Sequence, residues 1–205
     1  MQEILLKYFR NLDEQKIEKF NALLDIIEDW NKKVNLISRK EDRDQIKLRH
    51  ILHSLSIAKI FSFEENSNII DVGTGGGFPG IPLAIMFPQS NFLLVDSIKK
   101  KINVVDDIVN QLEIKNVKTS VSRVETINDN FDIVLSRAMA SFPLLYQLTN
   151  GLIKKDKDKF QGIICLKGGD LEDELKGYKN IKIYSISDFF KEDFFETKKI
   201  IFMRK

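Results

Sequence analysis

Five glycines lie within eight residues directly after a short apolar segment, and this cluster constrains the fold more than any other feature. The apolar segment 68–72 ends in Asp71 and Val72, and the glycines that follow are Gly73, Gly75, Gly76, Gly77 and Gly80. Glycine populates positive φ freely, so such a loop turns tightly and lets a ligand approach its backbone. An apolar segment followed by a glycine loop and a helix is typical of the first strand of a ligand-binding parallel sheet.

The rest of the chain changes character near residue 66. Before that point, apolar residues recur at three- and four-residue steps, which predicts two amphipathic helices at 13–33 and 42–60. After it, apolar runs alternate with helical patterns. The predicted strands are 68–72, 92–95, 117–121, 131–135, 162–166, 180–186 and 198–203. The predicted helices are a short one near Pro79 and Pro82, then 98–112, 142–152 and 171–176.

Alternating strands and helices predict an α/β fold whose mainly parallel sheet is covered on both faces. No long helix separates the last two strands, so we expect them to pair antiparallel. The predicted division is a helical extension at 1–65 packed on a core domain at 66–205. Ligands of such sheets bind beyond the carboxyl ends of the strands, which directs attention to the residues that follow each strand.

Composition excludes some classes of site and leaves others open. A net charge of +2 neither demands nor excludes a nucleic-acid partner. Cys165 is the single cysteine, so an intrachain disulfide or a cysteine-based metal cluster cannot form, and its apolar neighbours indicate a buried bystander thiol. His50 and His53 lack further Cys or His partners, so we expect no metal. Without a membrane span or a secretory signal, we expect a cytoplasmic protein, and a monomer.

Two glycine patterns overlap in the loop, and Asp71 separates them. Gly75-x-Gly77-x-x-Gly80 matches the dinucleotide fingerprint, whereas Asp71-x-Gly73-x-Gly75-x-Gly77 is the acid-plus-glycines arrangement of methyltransferases. A carboxylate at the mouth of the loop would repel a pyrophosphate. It suits S-adenosyl-L-methionine, which carries an ammonium and a sulfonium and has no phosphate.

Three further strand ends carry candidate residues. Asp96 ends the second strand, where an acid can accept hydrogen bonds from both hydroxyls of a ribose. Residues 122–125, after the third strand, are expected to face the adenine. Arg137 ends the fourth strand and offers a planar cation. That edge lacks the Asn/Asp-Pro-Pro-aromatic motif of adenine-amino methyltransferases and lacks a cysteine, which disfavours methylation of the adenine amino group or of pyrimidine carbon 5.

Together these residues resemble the ribosomal RNA small-subunit methyltransferase G family. The resemblance covers about residues 28–170 and keeps the order of the family's motifs. The matching segments are Trp30-Asn31-x-x-x-Asn35-Leu36, Arg49-His50-Ile51-Leu52-x-Ser54, the loop with Phe78-Pro79-Gly80-Ile81-Pro82, Asp96-Ser97, Ser122-Arg123-Val124-Glu125, Ser136-Arg137-Ala138 and Leu166-Lys167-Gly168. His53 departs from the pattern, because the family usually has Asp at that position.

The resemblance implies a class I, Rossmann-like methyltransferase fold: a seven-stranded, mainly parallel sheet with one antiparallel strand. It also implies methyl transfer from S-adenosyl-L-methionine to N7 of one guanine in 16S ribosomal RNA, in the small subunit or an assembly intermediate. The residues expected to hold the cofactor are Gly73, Gly75, Phe78, Asp96, Val124, Glu125 and Arg137.

Guanine N7 carries a lone pair and no proton at neutral pH, so no general base is required. Arg137 is the nearest candidate for a catalytic residue. We expect it to hold the cofactor or a phosphate and not to transfer a proton. For the RNA we expect Arg123, Arg137 and Lys167 to border the binding site, together with the lysine runs 99–101 and 154–157.

Other functions stay open at the level of the sequence. One is a dinucleotide-dependent oxidoreductase, which would bind NAD and not S-adenosyl-L-methionine. Another is an RNA-binding assembly factor that uses the fold without turnover. A third is a methyltransferase for a small molecule or for another RNA position, against which only the resemblance argues.

Overall fold

A single seven-stranded sheet organises the protein. The computed structural model describes residues 1–34, 36–38, 40–154, 156 and 159–205. The strands are β1 (Asn68–Val72), β2 (Asn91–Asp96), β3 (Val117–Val121), β4 (Ile133–Arg137), β5 (Gly162–Gly168), β6 (Ile181–Ser185) and β7 (Lys198–Arg204). Their order across the sheet is β3-β2-β1-β4-β5-β7-β6.

The strand directions confirm the predicted sheet. Strands β1 to β5 pair parallel to their neighbours, whereas β7 pairs antiparallel with both β5 and β6. The order reverses at β1, which has β2 on one side and β4 on the other. This reversal opens a crevice beyond the carboxyl end of β1, where the glycine loop begins.

Helices cover both faces of the sheet. They are α1 (Gln2–Tyr8), α2 (Glu14–Lys33), α3 (Arg43–Ile46), α4 (His53–Leu55), α5 (Gly80–Met86), α6 (Lys99–Gln111), α7 (Phe142–Thr149) and α8 (Glu172–Leu175). Within the described chain, no helix is long and apolar enough to cross a membrane. The sequence patterns had not indicated α1, since seven residues carry too little periodicity.

The long helix α2 begins as predicted. The Asp13 side chain caps it by accepting a hydrogen bond from the Lys16 amide at 2.8 Å, which satisfies one of the free amides of the first turn. Its apolar residues recur on one face and are buried, among them Phe20, Leu24 and Ile27. This face supplies the contact that holds α2 on the core.

The second predicted helix is continuous from Arg43 to Lys59 but is not a regular α-helix. Asp42 and Gln45 form a capping box at its start. A π-helical turn, Lys47–Leu52, then replaces the α-helical hydrogen-bonding pattern, and Ser56–Lys59 is a 3₁₀ turn. The π turn contains Arg49 and His50, and such turns are frequent at functional sites.

Strand β4 differs most from its prediction, because it is displaced at both ends. Strand β4 begins at Ile133 and not at Phe131, and it continues to Arg137. Asp132 is the cause: its backbone amide donates to the Asn68 carbonyl, while its side chain accepts from the Asn68 amide at 2.8 Å. These bonds fasten the start of β1 to the loop before β4, and the strand carries Arg137 to the ligand edge.

The predicted boundary between the helical extension, 1–65, and the core domain, 66–205, does not separate two hydrophobic cores. One apolar cluster contains Leu5, Phe20 and Leu24 from the helical extension together with Ile69 and Ile164 from the sheet. A second cluster fills the other face beneath α7 and contains Cys165, the predicted bystander thiol. Burial raises the pKa of that thiol to about 12, which suits packing and not reaction.

We expect Leu24→Ala to destabilise the whole chain, because Leu24 is fully buried in the apolar cluster that the extension shares with the core domain. The loss of packing and the cavity should lower the free energy of unfolding by about 2–5 kcal/mol in a single transition. Chemical denaturation followed by circular dichroism measures this. The exposed Leu144→Ala serves as control, with a change within about 0.5 kcal/mol. A separate early transition in Leu24→Ala would mean that residues 1–65 unfold alone.

Candidate active site

The glycine loop is held in place by the buried carboxylate of Asp71. One oxygen of that carboxylate accepts a hydrogen bond from the Thr74 hydroxyl at 2.6 Å and from the Gly80 amide at 2.9 Å. The Gly73 amide donates to the Val95 carbonyl of β2 at 2.9 Å, and φ is positive at Gly73. The loop is thus fastened at its start, at its end and to the neighbouring strand.

Asp71 does not lie at the mouth of the loop, and this corrects the sequence interpretation. Its side chain is fully buried, because the strand directs it beneath the loop toward the first turn of α5. The second carboxylate oxygen has no hydrogen-bond partner, and burial raises the pKa of Asp71 to about 6. Asp71 therefore shapes the loop and acts on a ligand only through its field, not by contact.

Asp96 lies at the carboxyl end of β2 with both oxygens directed to backbone amides. One accepts from Gly75 at 3.0 Å and the other from Ile98 at 2.9 Å, so the side chain joins the loop to the start of α6. The Lys101 ammonium is 3.7 Å from the same carboxylate. Each carboxylate oxygen can accept a second hydrogen bond, which leaves capacity for two ribose hydroxyls.

A cavity of about 500 Å³ opens between the loop, α6 and the corner after β3. It brings together five of the residues predicted for the site, namely Gly73, Asp96, Arg123, Val124 and Glu125. Val124 is buried at the base of a 3₁₀ turn, whereas Arg123 and Glu125 are exposed. An acid at the end of β2 opposite a mixed apolar and polar corner fits the adenosine part of S-adenosyl-L-methionine.

Gly73 lines this cavity and lies close to another of its lining residues, Met139. A Cβ atom there would lie 2.7 Å from Cγ of Met139, so only glycine leaves room beside that side chain. Met139 follows β4 and lines the same cavity, as expected for a residue just beyond the carboxyl end of a strand, although no family motif includes it. Met139 thus packs close to the Gly73 backbone, and the positive φ at Gly73 favours glycine as well.

A second cavity of about 560 Å³ adjoins the first and shares Gly73, Lys101 and Ala138 with it. Four predicted residues line it: Gly75, Phe78, Arg137 and Lys167. Much of the remaining wall comes from the helical extension, whose Arg49-His50 segment is one of the family motifs, and from Phe194 and Lys198 near the start of β7, which no motif had indicated. We refer to the two spaces as the adenosine cavity and the outer cavity.

Arg137 lies in the wall of the outer cavity, where protein groups fix its guanidinium. It donates to the Arg49 carbonyl at 3.1 Å and to Nδ1 of His50 at 3.0 Å, and it lies 4.9 Å from the ring centre of Phe78. Burial lowers the pKa of Arg137 to about 10, so the group stays a cation at neutral pH. It cannot act as a base there.

His50 connects Arg137 to Glu41. Because its Nδ1 accepts from Arg137, its Nε2 carries the proton and donates to Glu41 at 2.6 Å. Burial, reinforced by the Arg137 cation, lowers the pKa of His50 to about 4. The ring is therefore neutral, and its free lone pair is already occupied. No feature of the sequence had indicated Glu41, which is nine residues from His50.

His53, the departure from the family pattern, is buried against the rings of Phe194 and Phe195. Burial, together with the nearby cations Arg137 and Lys198, lowers the pKa of His53 to about 3, so the ring is neutral. Its Nε2 atom has no hydrogen-bond partner. Across the described ranges, no group of three or more His, Cys, Asp or Glu side chains is placed to hold a metal ion.

The residues predicted to contact RNA differ from one another in exposure and in hydrogen bonding. The Lys167 ammonium is taken up by protein groups, because it donates hydrogen bonds to the Glu174 carboxylate at 2.7 Å and to the Ala140 carbonyl. Arg123 is exposed at the rim of the adenosine cavity. Lys101 lines both cavities, whereas Lys155 and Lys157 lie outside the described residues, as does Asn35 of the first family motif. RNA contact by Arg123 and Lys167 stays a prediction.

The raised pKa of Asp71 predicts a dependence of stability on pH. Its pKa is about 6 in the folded chain and 3.8 in the unfolded one, so the folded state gains stability when Asp71 is protonated. That gain is complete below the unfolded value and is lost as pH rises through about 6. At about 1.4 kcal/mol per pH unit, the loss approaches about 3 kcal/mol.

Asp71→Asn isolates this contribution, because the amide does not titrate. We expect the free energy of unfolding of the parent, relative to Asp71→Asn, to fall by about 2–3 kcal/mol between about pH 4 and pH 7 and then to stay constant. Urea denaturation at each pH gives the difference. An equal difference at both pH values would show that the Asp71 pKa is not raised.

Comparison with known proteins agrees with this arrangement. The profile of the family described as rRNA small subunit methyltransferase G matches residues 16–199. A protein of that name from Christiangramia forsetii is 52% identical over 203 residues, which cover 98% of this chain and 96% of the relative. Another from Flavobacterium johnsoniae is 49% identical over 199 residues, with 96% and 95% covered.

The fold recurs in solved methyltransferase structures of low sequence similarity. A SAM-dependent methyltransferase from Aquifex aeolicus superposes with a TM-score of 0.55 at 18% identity, covering 80% of this chain and 99% of that one. The predicted class I methyltransferase fold is therefore confirmed. The match across nearly the whole chain confirms a methyltransferase with S-adenosyl-L-methionine as its cofactor, and the chain belongs to the rRNA small subunit methyltransferase G family.

Proposed function

We propose that this chain transfers a methyl group from S-adenosyl-L-methionine to N7 of one guanine in 16S ribosomal RNA. The observation that carries the proposal is the pair of adjoining cavities that meet at Gly73, one suited to adenosine and the other open beside it. Family membership supports the ribosomal substrate. The cofactor supplies the electrophilic methyl group, and the outer cavity takes the base.

The chain's own residues bind and orient in this reaction. Asp96 holds the ribose, Val124 and Glu125 border the adenine, and the loop amides approach the rest of the cofactor. Guanine N7 needs no proton removed, so alignment and exclusion of water supply the rate enhancement, worth up to about 7–11 kcal/mol in ideal cases. The Nδ1 lone pair of His50 already accepts a hydrogen bond from Arg137, and Arg137 is a cation, so both residues fit a site without a general base.

Arg137 serves as a fixed wall of the outer cavity. Its guanidinium is tied to Arg49 and His50 and stacks on Phe78, so its orientation does not depend on a ligand. A cation against a guanine that gains positive charge on methylation would raise the barrier. Arg137 therefore lies beside the methionine end of the cofactor or a phosphate, and not on the ring of the reacting guanine.

The other candidate functions receive less support. An oxidoreductase would need a second reacting site for its substrate, and the family relation points to methyl transfer. An assembly factor without turnover would have no use for Asp96 and the two adjoining cavities together. The small subunit, or an intermediate of its assembly, is the partner we propose.

Methyl transfer and its position are tested with tritiated cofactor on unmethylated small subunits, naked 16S RNA and assembly intermediates. We expect label in at least one of the three. Borohydride and aniline should then cleave the RNA at one guanine, because N7-methylguanine is the base that this treatment opens. RNA transcribed with 7-deazaguanosine, which lacks N7, should take no label. Label without strand cleavage would exclude N7.

Cofactor binding is tested with Asp96→Asn by isothermal titration calorimetry. A charge-assisted hydrogen bond contributes about 1.5–3 kcal/mol, so the affinity for S-adenosyl-L-methionine should fall about 10- to 100-fold. The amide keeps one acceptor for the loop, and circular dichroism checks the fold. Asp129→Asn, at an exposed residue outside both cavities, is the matched control. Unchanged affinity in Asp96→Asn would remove Asp96 from the ribose site.

A further inference from the structure

Phe194 lies in the wall of the outer cavity with two cations over its ring. The Lys198 ammonium is 5.0 Å from the ring centre and the Arg49 guanidinium is 5.7 Å from it. Phe194 belongs to a 3₁₀ turn, Asp193–Phe195, and Lys198 is the first residue of β7. Arg49 comes from the π turn of the helical extension, so two distant parts of the chain place like charges on one ring.

The positive charge of the outer cavity is only partly balanced. Among the described residues that line it, five are cationic and one, Glu41, is a carboxylate. Lys167 is paired with Glu174, and Lys101 lies near Asp96. Within the described ranges, Lys198 has no carboxylate in salt-bridge distance, and Arg49 meets Glu41 only at 3.5 Å. Like charges held together without counter-charge favour the binding of an anion.

His53 lies directly beside these cations and adds no negative charge. Its neutral ring packs edge-on to Phe194, with the ring centres 5.5 Å apart. The side chain is buried and lines the outer cavity, and its Nε2 atom lacks a hydrogen-bond partner. A buried polar atom without a partner is uncommon in native structures and often marks a place where a ligand completes the site.

The turn that carries Phe194 is anchored from the other end of the chain. Tyr8 of α1 donates to Glu192, with 2.8 and 2.7 Å to its two oxygens, and Lys7 pairs with the same carboxylate at 2.7 Å. Phe195 is fully buried beside Phe190. The position of Phe194 is therefore set before any ligand binds, which lowers the entropy cost of binding beside its ring.

We propose that Arg49 and Lys198, held on the ring of Phe194, bind a backbone phosphate of the RNA strand that carries the target base. The inference rests on the proposed function and names the part of the outer cavity that holds the RNA. Both cations reach solvent: the Arg49 side chain is 43% exposed, and Lys198 is partly exposed. A phosphate on a strand that enters from outside can therefore meet them.

Lys198→Gln tests the subsite through the salt dependence of RNA binding. Each phosphate contact contributes about 0.7–0.9 to the slope of log affinity against log salt concentration. The variant should lose one such contribution and bind a 16S RNA fragment about fivefold more weakly at about 0.1 M salt. The matched control is Lys199→Gln, because successive residues of a strand face opposite sides and Lys199 is absent from the cavity wall.

His53→Asp supplies a second, independent test. It places a carboxylate beside Lys198 and Arg49, so it should reduce the affinity and the salt slope as Lys198→Gln does. His53→Asn, which removes the same ring but adds no charge, should leave the salt slope unchanged and should lower the affinity less than His53→Asp does. Affinity for S-adenosyl-L-methionine, measured by calorimetry, should be the same in all four variants, and circular dichroism checks their folds.

Three results would overturn the proposal. The first is an equal salt slope in Lys198→Gln, Lys199→Gln and the parent. The second is weaker binding of S-adenosyl-L-methionine, without change in RNA binding, in Lys198→Gln and His53→Asp, which would assign the cations to the cofactor carboxylate. The third is an absence of salt-dependent RNA binding in the parent. Each differs from failure of the proposed function, which is measured by the position of the transferred methyl group.

Discussion

The hydrogen bonds of the buried Asp71 carboxylate are the interactions on which the site depends. They close the glycine loop over the end of β1 and fix the first turn of α5. Burying a carboxylate away from water costs free energy. The hydrogen bonds from the Thr74 hydroxyl and the Gly80 amide offset only part of that cost, because the second oxygen has no hydrogen-bond partner. The Arg137 cation lowers the cost further through its field. The wall of the outer cavity therefore helps to stabilise the floor of the adenosine cavity.

This electrostatic connection continues into the helical extension. Arg137 binds His50, and His50 binds Glu41, so the end of β4 is tied to a segment some ninety residues earlier in the chain. The same segment supplies Arg49 and His53 to the outer cavity. The extension is thus a wall of the site, which explains why its apolar face shares one core with the sheet.

Sequence reasoning succeeded where a local pattern carries the information. Apolar periodicity located all seven strands, and the rule of carboxyl strand ends brought Gly73, Asp96 and Val124 to one cavity. It failed where geometry depends on distant partners. Burial of Asp71 is decided by the packing of α5 on the sheet, and the shift of β4 by the bonds of Asp132 to Asn68. Phe194 and Lys198 belong to no motif, and they join the site only because β7 lies beside β5.

The perturbed pKa values reflect orientation and not proton transfer. Burial holds His50 and His53 neutral, whereas Arg137 stays a cation at neutral pH in spite of its burial, so none of the three accepts a proton from a substrate at that pH. A nucleophile that already has its lone pair requires only correct placement, so catalytic power and base selection both depend on the shape and charge of the outer cavity. That cavity is built from the π turn, the end of β4 and the start of β7. The glycine loop therefore identifies the cofactor, while in the proposed reaction the base is selected by elements outside that loop, of which the start of β7 carries no short motif.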